Sequence, residues 1–429
     1  FQLALLLLLA WVAVYIFTRL GYPSLLGELG VGIIFGPPIL NILKPSPALS
    51  LLGALGTVLL MLLVGARIDV RDLAKASGTA LLIAAGAFAA SFAVGYFVTT
   101  GTFGRSSNEG LIVGVAVSNT ALATLPRILL DLGLIEERVG QFLAAVSLFT
   151  VAILMTVFAA VDSIVRAGSV DPARLGGVLG RAGLFLLIAV LLGIFVLPRL
   201  RPILRAVGLT GRSNSFAVVL LVGILFAGMA FRAGLAVILG GFIAGLFLRE
   251  DMFGEGEFAA VLTSVEDVAF RFLAPIFFVS AAFPFQFSIF QTRPLELLLM
   301  IVLALAGKSL VAFILSRLSP LTLRESAVLA AGMNAKGGVD IVVAQSSLPV
   351  AATATAPART GALSVEMYTV VVCLATVGSL VTPILLKFGR DWLRKSGEVT
   401  AVVTPAAVQM AAAMPTDDSA PPTQGRVLR

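Results

Sequence analysis

The sequence predicts an all-α polytopic membrane protein: 13 transmembrane helices in inverted repeats, two of them (spans 5 and 12) discontinuous and crossed. Three observations predict it. Apolar runs recur along the whole chain, and about 20 apolar residues at 1.5 Å each cross a ~30 Å hydrocarbon core. Hydrophobic residues make up 59% of the 429 and charged residues only 12%. Apolar strands of a soluble α/β protein are shorter, roughly 4 to 8 residues. Finally, the fifth and twelfth runs carry polar and helix-breaking residues near their middles.

The first four spans lie near 1–19, 23–43, 48–66 and 78–100. The chain opens on Phe1, already inside an apolar helix, so residues are expected to precede it. With so many spans following, the first reads as a span and not as a cleaved signal peptide. The next four lie near 108–131, 137–162, 178–199 and 213–231, and the last five near 234–249, 264–284, 295–316, 325–348 and 364–387. Residues 1–396 are thus expected to form the membrane domain. Residues 397–429, rich in Ala, Pro, Thr and Asp, read as a disordered cytoplasmic tail.

The net charge of +7 is topogenic on this reading. Loops on the C-terminal side carry 17 Lys and Arg and the opposite loops carry 8. That bias places the C-terminus in the cytoplasm and the N-terminus outside, in an inner or plasma membrane. No nucleic-acid partner is expected; the partner is the lipid bilayer. The single cysteine, Cys373, excludes an intramolecular disulfide framework, and the lack of histidine excludes histidine proton relays. There is no Ser/His or metal constellation, so an enzyme is not expected and no cofactor is called for.

Span 5, "NEGLIVGVAVSNTALATLPRILLDLG", carries Ser118-Asn119-Thr120, Thr124 and Pro126-Arg127 near its middle. Span 12, "ESAVLAAGMNAKGGVDIVVAQSSL", carries Asn334, Lys336, Gly337-Gly338 and Asp340. Breaks at membrane depth are tolerated where they are buried in protein or line a water cavity. The two spans are an odd number apart, so they run in opposite directions. Paired interruptions in two inverted halves point to the binding site of a secondary transporter.

Few ionisable residues lie within the spans, and each costs about 2.5–3.5 kcal/mol on insertion scales, which makes it a functional candidate. Lys308 sits mid-span in "LALAGKSLVAFIL", flanked by apolar and small residues, as a proton carrier or as partner to a carboxylate. Lys336 and Asp340, at i and i+4, share a helix face. A structural ion pair and direct ion binding both stay open for them. Arg271 is better spaced for Asp267 than for Glu266, and Glu28 in "LLGELGVGIIFGPP" is expected near an interface or a helix-packing site.

These residues carry a resemblance. "LLGELGVGIIFGP", "LLMLLVGARIDVRDL", "SNTALATLPRILLDLGLI", "LAPIFFVSAAF", "GKSLVAFILSRL" and "GMNAKGGVDIVVA" resemble, in order, segments of the monovalent cation:proton antiporter superfamily, Kef-type and plant cation/H+ exchanger-like. The resemblance covers about 20 to 390 and implies an NhaA-type fold. It also implies a core domain with two crossed unwound helices, a homodimer and elevator-like alternating access.

One departure stands against it. The sixth helix of that family carries an Asp, yet in "QFLAAVSLFTVAILM" Ser147 and Leu148 take those positions. Ser147 and Thr150 offer only neutral oxygens. The expected function is therefore exchange of a monovalent cation, Na+ or K+, for protons, with Asp340 supplying the acid and Lys308 and Lys336 tuning it. The binding set is Asp340, Lys308, Lys336, Asn334, Ser118, Asn119, Thr120, Ser147 and Thr150. The alternatives are an organic or anionic substrate on the same fold, drawn by the lysines and half-helix N-termini, and a non-transporting relative.

Overall fold

The computed structural model describes residues 1–68, 78–121, 125, 128–129, 132–134, 137–167, 172–197, 199, 202, 211–249, 252–253, 257–348 and 362–395. The expected tail, and Thr124 and Pro126-Arg127 of span 5, lie outside them.

Every element among the described residues is helical. In chain order these are α1 (Gln2–Arg19), α2 (Ser24–Phe35), α3 (Pro47–Ala66), α4 (Gly78–Phe97), α5 (Ser107–Ser118), α6 (Arg138–Ala167), α7 (Pro172–Leu191) and α8 (Arg212–Arg232). They continue with α9 (Val237–Phe247), α10 (Glu257–Val268), α11 (Ala274–Ala281), α12 (Ile289–Thr292), α13 (Pro294–Ser316), α14 (Leu323–Gly332), α15 (Gly338–Ser346) and α16 (Val365–Lys395). Among the described residues seven stretches are long and apolar enough to cross a membrane, including α1, α3, α13 and most of α6 and α16. The protein is a helical polytopic membrane protein.

Local chemistry sets where these helices begin and end. Ser46 caps α3, its Oγ accepting from the Leu49 amide at 3.3 Å, with Pro47 at the first turn. Ser106 does the same for α5 through the Glu109 amide, also at 3.3 Å. Thr322 and Glu325 close a reciprocal capping box at the start of α14, at 3.2 and 2.8 Å. Each cap satisfies amides that the first turn leaves without partners. Two expected spans are shorter as helices than the apolar run suggests. α2 stops at Phe35, where Gly36-Pro37-Pro38 cannot continue it, and α9 covers 11 residues. At 1.5 Å per residue they reach about 18 and 16 Å, less than a full crossing.

Small residues let the helices approach closely, as is usual in membranes. A Cβ on Gly241 of α9 would fall 2.6 Å from the Val58 carbonyl oxygen of α3, and one on Gly95 of α4 would fall 2.7 Å from Gly114 Cα of α5. The largest apolar core joins Leu59–Val64, Val113–Val117, Phe277–Phe278 and Val370–Ala375. α1 lies outermost, with Trp11 and Leu8 exposed. A π-helical turn, Ala269–Leu273, joins α10 to α11, just before Pro275, which cannot donate to the carbonyl four residues back.

Candidate functional site at two helix breaks

The site is built from helix ends. α5 stops at Ser118, and Asn119 turns extended (φ −64°, ψ 153°), so the last carbonyls of α5 have no donors within the helix. Short polar residues end a helix readily, because their side chains compete for its backbone. Here the Ser118 hydroxyl donates to the Gly114 carbonyl at 2.5 Å. In the other segment α14 ends at Gly332, residues 333–337 are non-helical, and α15 begins at Gly338.

The two breaks touch. The Ala121 amide donates to the Ala335 carbonyl at 2.8 Å, and the Thr120 hydroxyl donates to the Met333 carbonyl at 3.1 Å. Around them sit three buried charges. Lys308, from the middle of α13, donates to the Ser118 and Asn119 carbonyls at 2.9 and 2.5 Å. Lys336 donates to the Val117 and Asn119 carbonyls at 2.6 and 3.1 Å, and to Asp340 Oδ1 at 3.2 Å. Asp340 Oδ2 accepts from the Gly337 amide at 3.0 Å and from Asn119 Nδ2 at 3.3 Å. All three side chains are at most 2% exposed.

The electrostatics follow from helix polarity. A helix C-terminus carries partial negative charge and an N-terminus partial positive charge. Two ammonium groups therefore meet the end of α5, and one carboxylate sits in the first turn of α15. The expected Lys336–Asp340 pair exists, but not along one helix face. Lys336 lies in the break and Asp340 in the turn that follows, so the pair closes the gap between them. Supporting contacts hold both breaks in place. Asn334 Nδ2 donates to Ser309 Oγ at 2.6 Å, and Ser379 Oγ donates to the Lys336 carbonyl at 3.2 Å. Gly378 of α16 leaves room for the Lys336 side chain, and a Cβ there would stand 3.0 Å from the Asn334 carbonyl oxygen.

Seven of the nine expected residues meet here: Ser118, Asn119, Thr120, Lys308, Asn334, Lys336 and Asp340. Ser147 and Thr150 are fully buried on α6, but their hydroxyls donate to their own helix, to Leu143 and Val146 at 2.7 Å each. No hydrogen bond between the described residues ties them to the breaks. The sequence reading did not assign Ser309 or Ser379 to the site. Ser309 was signalled by its place beside Lys308, whereas nothing local marks Ser379. Of the other acids, Glu266 pairs with Arg67 at 2.8 Å, and Asp267 pairs with Arg271 at 2.9 Å on an exposed face, as the i,i+4 spacing predicts.

Two oxygens in this dense network have no partner. Asn119 Oδ1 and Asn334 Oδ1 are buried and accept no hydrogen bond. Their orientations are set by the opposite atom of each amide: Asn119 Nδ2 faces a carboxylate, which only accepts. Asn334 Nδ2 faces the Ser309 oxygen, whose own proton goes to the Ala330 carbonyl at 3.2 Å. Buried acceptors without donors are costly and call for an unseen occupant, a water or an ion.

Comparison with known proteins agrees with this architecture. The family described as sodium/hydrogen exchanger, transmembrane, matches residues 4–388. The chain is 26% identical over 388 residues to the Na+/H+-K+ antiporter GerN of Bacillus cereus, covering 90% of this chain and 95% of that protein. It is 22% identical over 390 residues to a Na+/H+ antiporter of Enterococcus hirae, covering 90% and 96%. Among solved structures it is similar to the sodium proton antiporter MjNhaP1 of Methanocaldococcus jannaschii, with a TM-score of 0.61 and 15% identity over 91% of this chain and 97% of that one. At that identity the likeness speaks for the fold alone. The chain belongs to the transmembrane sodium/hydrogen exchanger family.

Proposed function

We propose that the protein exchanges a monovalent cation, Na+ or K+, for protons by alternating access, with the cation bound where the two breaks meet. The observation that carries this reading is the imbalance of unsatisfied groups. The buried positive groups at the breaks are engaged: Lys308 and Lys336 on helix carbonyls, Lys336 also on Asp340, and the N-terminus of α15 on its own Asp340. The unpartnered atoms there are the acceptors Asn119 Oδ1 and Asn334 Oδ1. Unpaired oxygens suit a cation. An anionic substrate would need positive groups that this network has already engaged, which speaks against the alternative.

A cation arriving beside two ammonium groups is repelled unless one of them gives up charge. Lys308 is the group placed to do so. Its partners are neutral carbonyls, whereas Lys336 is held in an ion pair. A proton leaving Lys308 breaks no salt bridge, and this links cation entry to proton release with no acid at Ser147 or Leu148 of α6. Asp340, with both oxygens engaged, orders the site and adds negative charge to it.

The reading extends to the assembly. The seven long helices, the shorter α2, α7 and α9, the α10–α11 pair and the two interrupted segments fit thirteen crossings, with α5 and the α14–α15 segment crossing at their breaks. The basic bias of the loops favours a cytoplasmic C-terminus in a plasma membrane, and the family favours a homodimer.

Reconstitution into proteoliposomes tests the function. Adding Na+ or K+ outside should discharge an imposed proton gradient, read by a pH dye, and Asp340→Asn should abolish the response. Absence of any cation response, with saturable uptake of an organic anion that Lys308→Ala removes, would replace this reading by the anionic one.

A further inference from the structure

A further buried acid lies away from the breaks. Five carboxylates are buried among the described residues: Glu28, Asp162, Glu266, Glu325 and Asp340. Four of them are satisfied. Asp162 accepts from the Ala236 amide at 2.9 Å at the start of α9, Glu266 holds Arg67, Glu325 caps α14, and Asp340 holds Lys336 and caps α15. Glu28 is 3% exposed, and among the described residues neither a hydrogen bond nor an ion pair reaches it.

The helices that pack most closely on α2, α1 and α11, place no charge beside it. α1 has one charged side chain, Arg19, its exposed last residue, six positions beyond Ala13, where it stacks over Tyr15 with 4.9 Å to the ring centroid. α11 has no charged side chain. Glycines on either side of Glu28 seal the contacts: a Cβ on Gly27 would fall 2.8 Å from the Ala13 carbonyl of α1, and one on Gly32 would fall 2.6 Å from Ala282 Cβ, just past α11. α11 also carries Ser280, whose Oγ is buried and unpartnered. On another side of α11 the Phe278 ring lies over Gly338, the first residue of α15. A lone carboxylate therefore stands one helix away from the breaks.

A carboxylate ion held out of water without a counter-charge or donors is strongly disfavoured, so such a group is kept neutral or is visited by what neutralises it. We infer that Glu28 is a second proton-binding group of the transport cycle, a carboxyl that takes up a proton from water on one side of the membrane and releases it on the other. The step is proton transfer alone. A proton from water bonds to a Glu28 carboxylate oxygen, and the same O–H bond later breaks toward water, with no oxidation or reduction. The inference rests on the exchange reading above and adds to it an acid in place of the one missing at Ser147-Leu148 of α6.

The test uses the full chain. In proteoliposomes Glu28→Gln should lower cation-driven proton flux at least tenfold and keep Na+/Na+ exchange, which needs no proton. Glu28→Asp, which keeps the carboxyl, should retain flux with a displaced pH profile. Infrared difference spectra between high and low pH should show a protonated-carboxyl band that Glu28→Gln removes. Wild-type flux and an unchanged pH profile in Glu28→Gln would overturn the inference. If the wild type shows no cation-driven flux at all, the exchange reading fails, and the infrared band alone then decides whether Glu28 binds a proton; its absence overturns the inference. Should Glu28→Gln fail to fold, the pH profile of Glu28→Asp decides, and one identical to wild type overturns it.

Discussion

Lys308 and Lys336 donate to the same backbone oxygen, that of Asn119, at 2.5 and 3.1 Å. Two like charges converge on one atom because α5 ends there. Its last carbonyls have no donors of their own, and the negative end of the helix dipole offsets part of the repulsion. Asp340 supplies the rest through Lys336.

Lys308→Arg separates charge from proton exchange. Arginine keeps the positive donors but does not give up its proton in proteins. The variant should stay folded in detergent while cation-driven proton flux falls at least tenfold. Flux at the wild-type level would place the exchanged proton elsewhere.

Removing one partner of the Lys336–Asp340 pair leaves a buried charge alone, at a cost of about 3–5 kcal/mol. Lys336→Met and Asp340→Asn should therefore each lower the denaturation midpoint sharply. The double variant should be less unstable than the two losses added together, as measured by a double-mutant cycle in detergent.

Gly378→Ala and Gly30→Ala should differ in sign. A methyl group at Gly378 meets the Lys336 side chain and the Asn334 carbonyl oxygen, whereas nothing lies within 4 Å of one at Gly30 of α2. The first should destabilise by about 1–3 kcal/mol through overpacking. The second should stabilise by up to about 1 kcal/mol through helix propensity. Thermal melts of the two purified variants check both directions.

Leu148→Asp restores the carboxylate that the family places on the sixth helix. Leu148 packs partly buried against the main core, next to the fully buried Ser147. The variant should acquire an additional titrating step in the pH profile of proton flux. A profile identical to wild type would show that this face of α6 lies off the proton path.

Much of this site was legible from short stretches of sequence. Asn119, Asn334, Lys336, Gly337 and Asp340 announce themselves because polar and helix-breaking residues are costly at membrane depth, and the i,i+4 spacing of Lys336 and Asp340 foretells their contact. The partners of Lys308 did not show. They are backbone oxygens 189 and 190 residues away, and a carbonyl has no signature in the sequence. Arg67 and Glu266, 199 residues apart, were hidden for the same reason of distance. Glu28 looked ordinary because its isolation depends on what the helices beside it, α1 and α11, lack. The length of α2 was overstated, since hydropathy counts the residues after Gly36-Pro37-Pro38 although the helix has already stopped.

The hydrogen bond from the Ala121 amide to the Ala335 carbonyl has a mechanical consequence. Among the described residues it is the backbone bond across the two breaks, buried at membrane depth where separated peptide groups are costly to leave unpaired. Pulling the breaks apart would strand both groups, along with the carbonyls that the two lysines cover. The knot is cheaper to displace whole than to untie. On the exchange reading proposed above, an ion held there would change sides together with its entire coordination shell, with no ligand exchanged on the way.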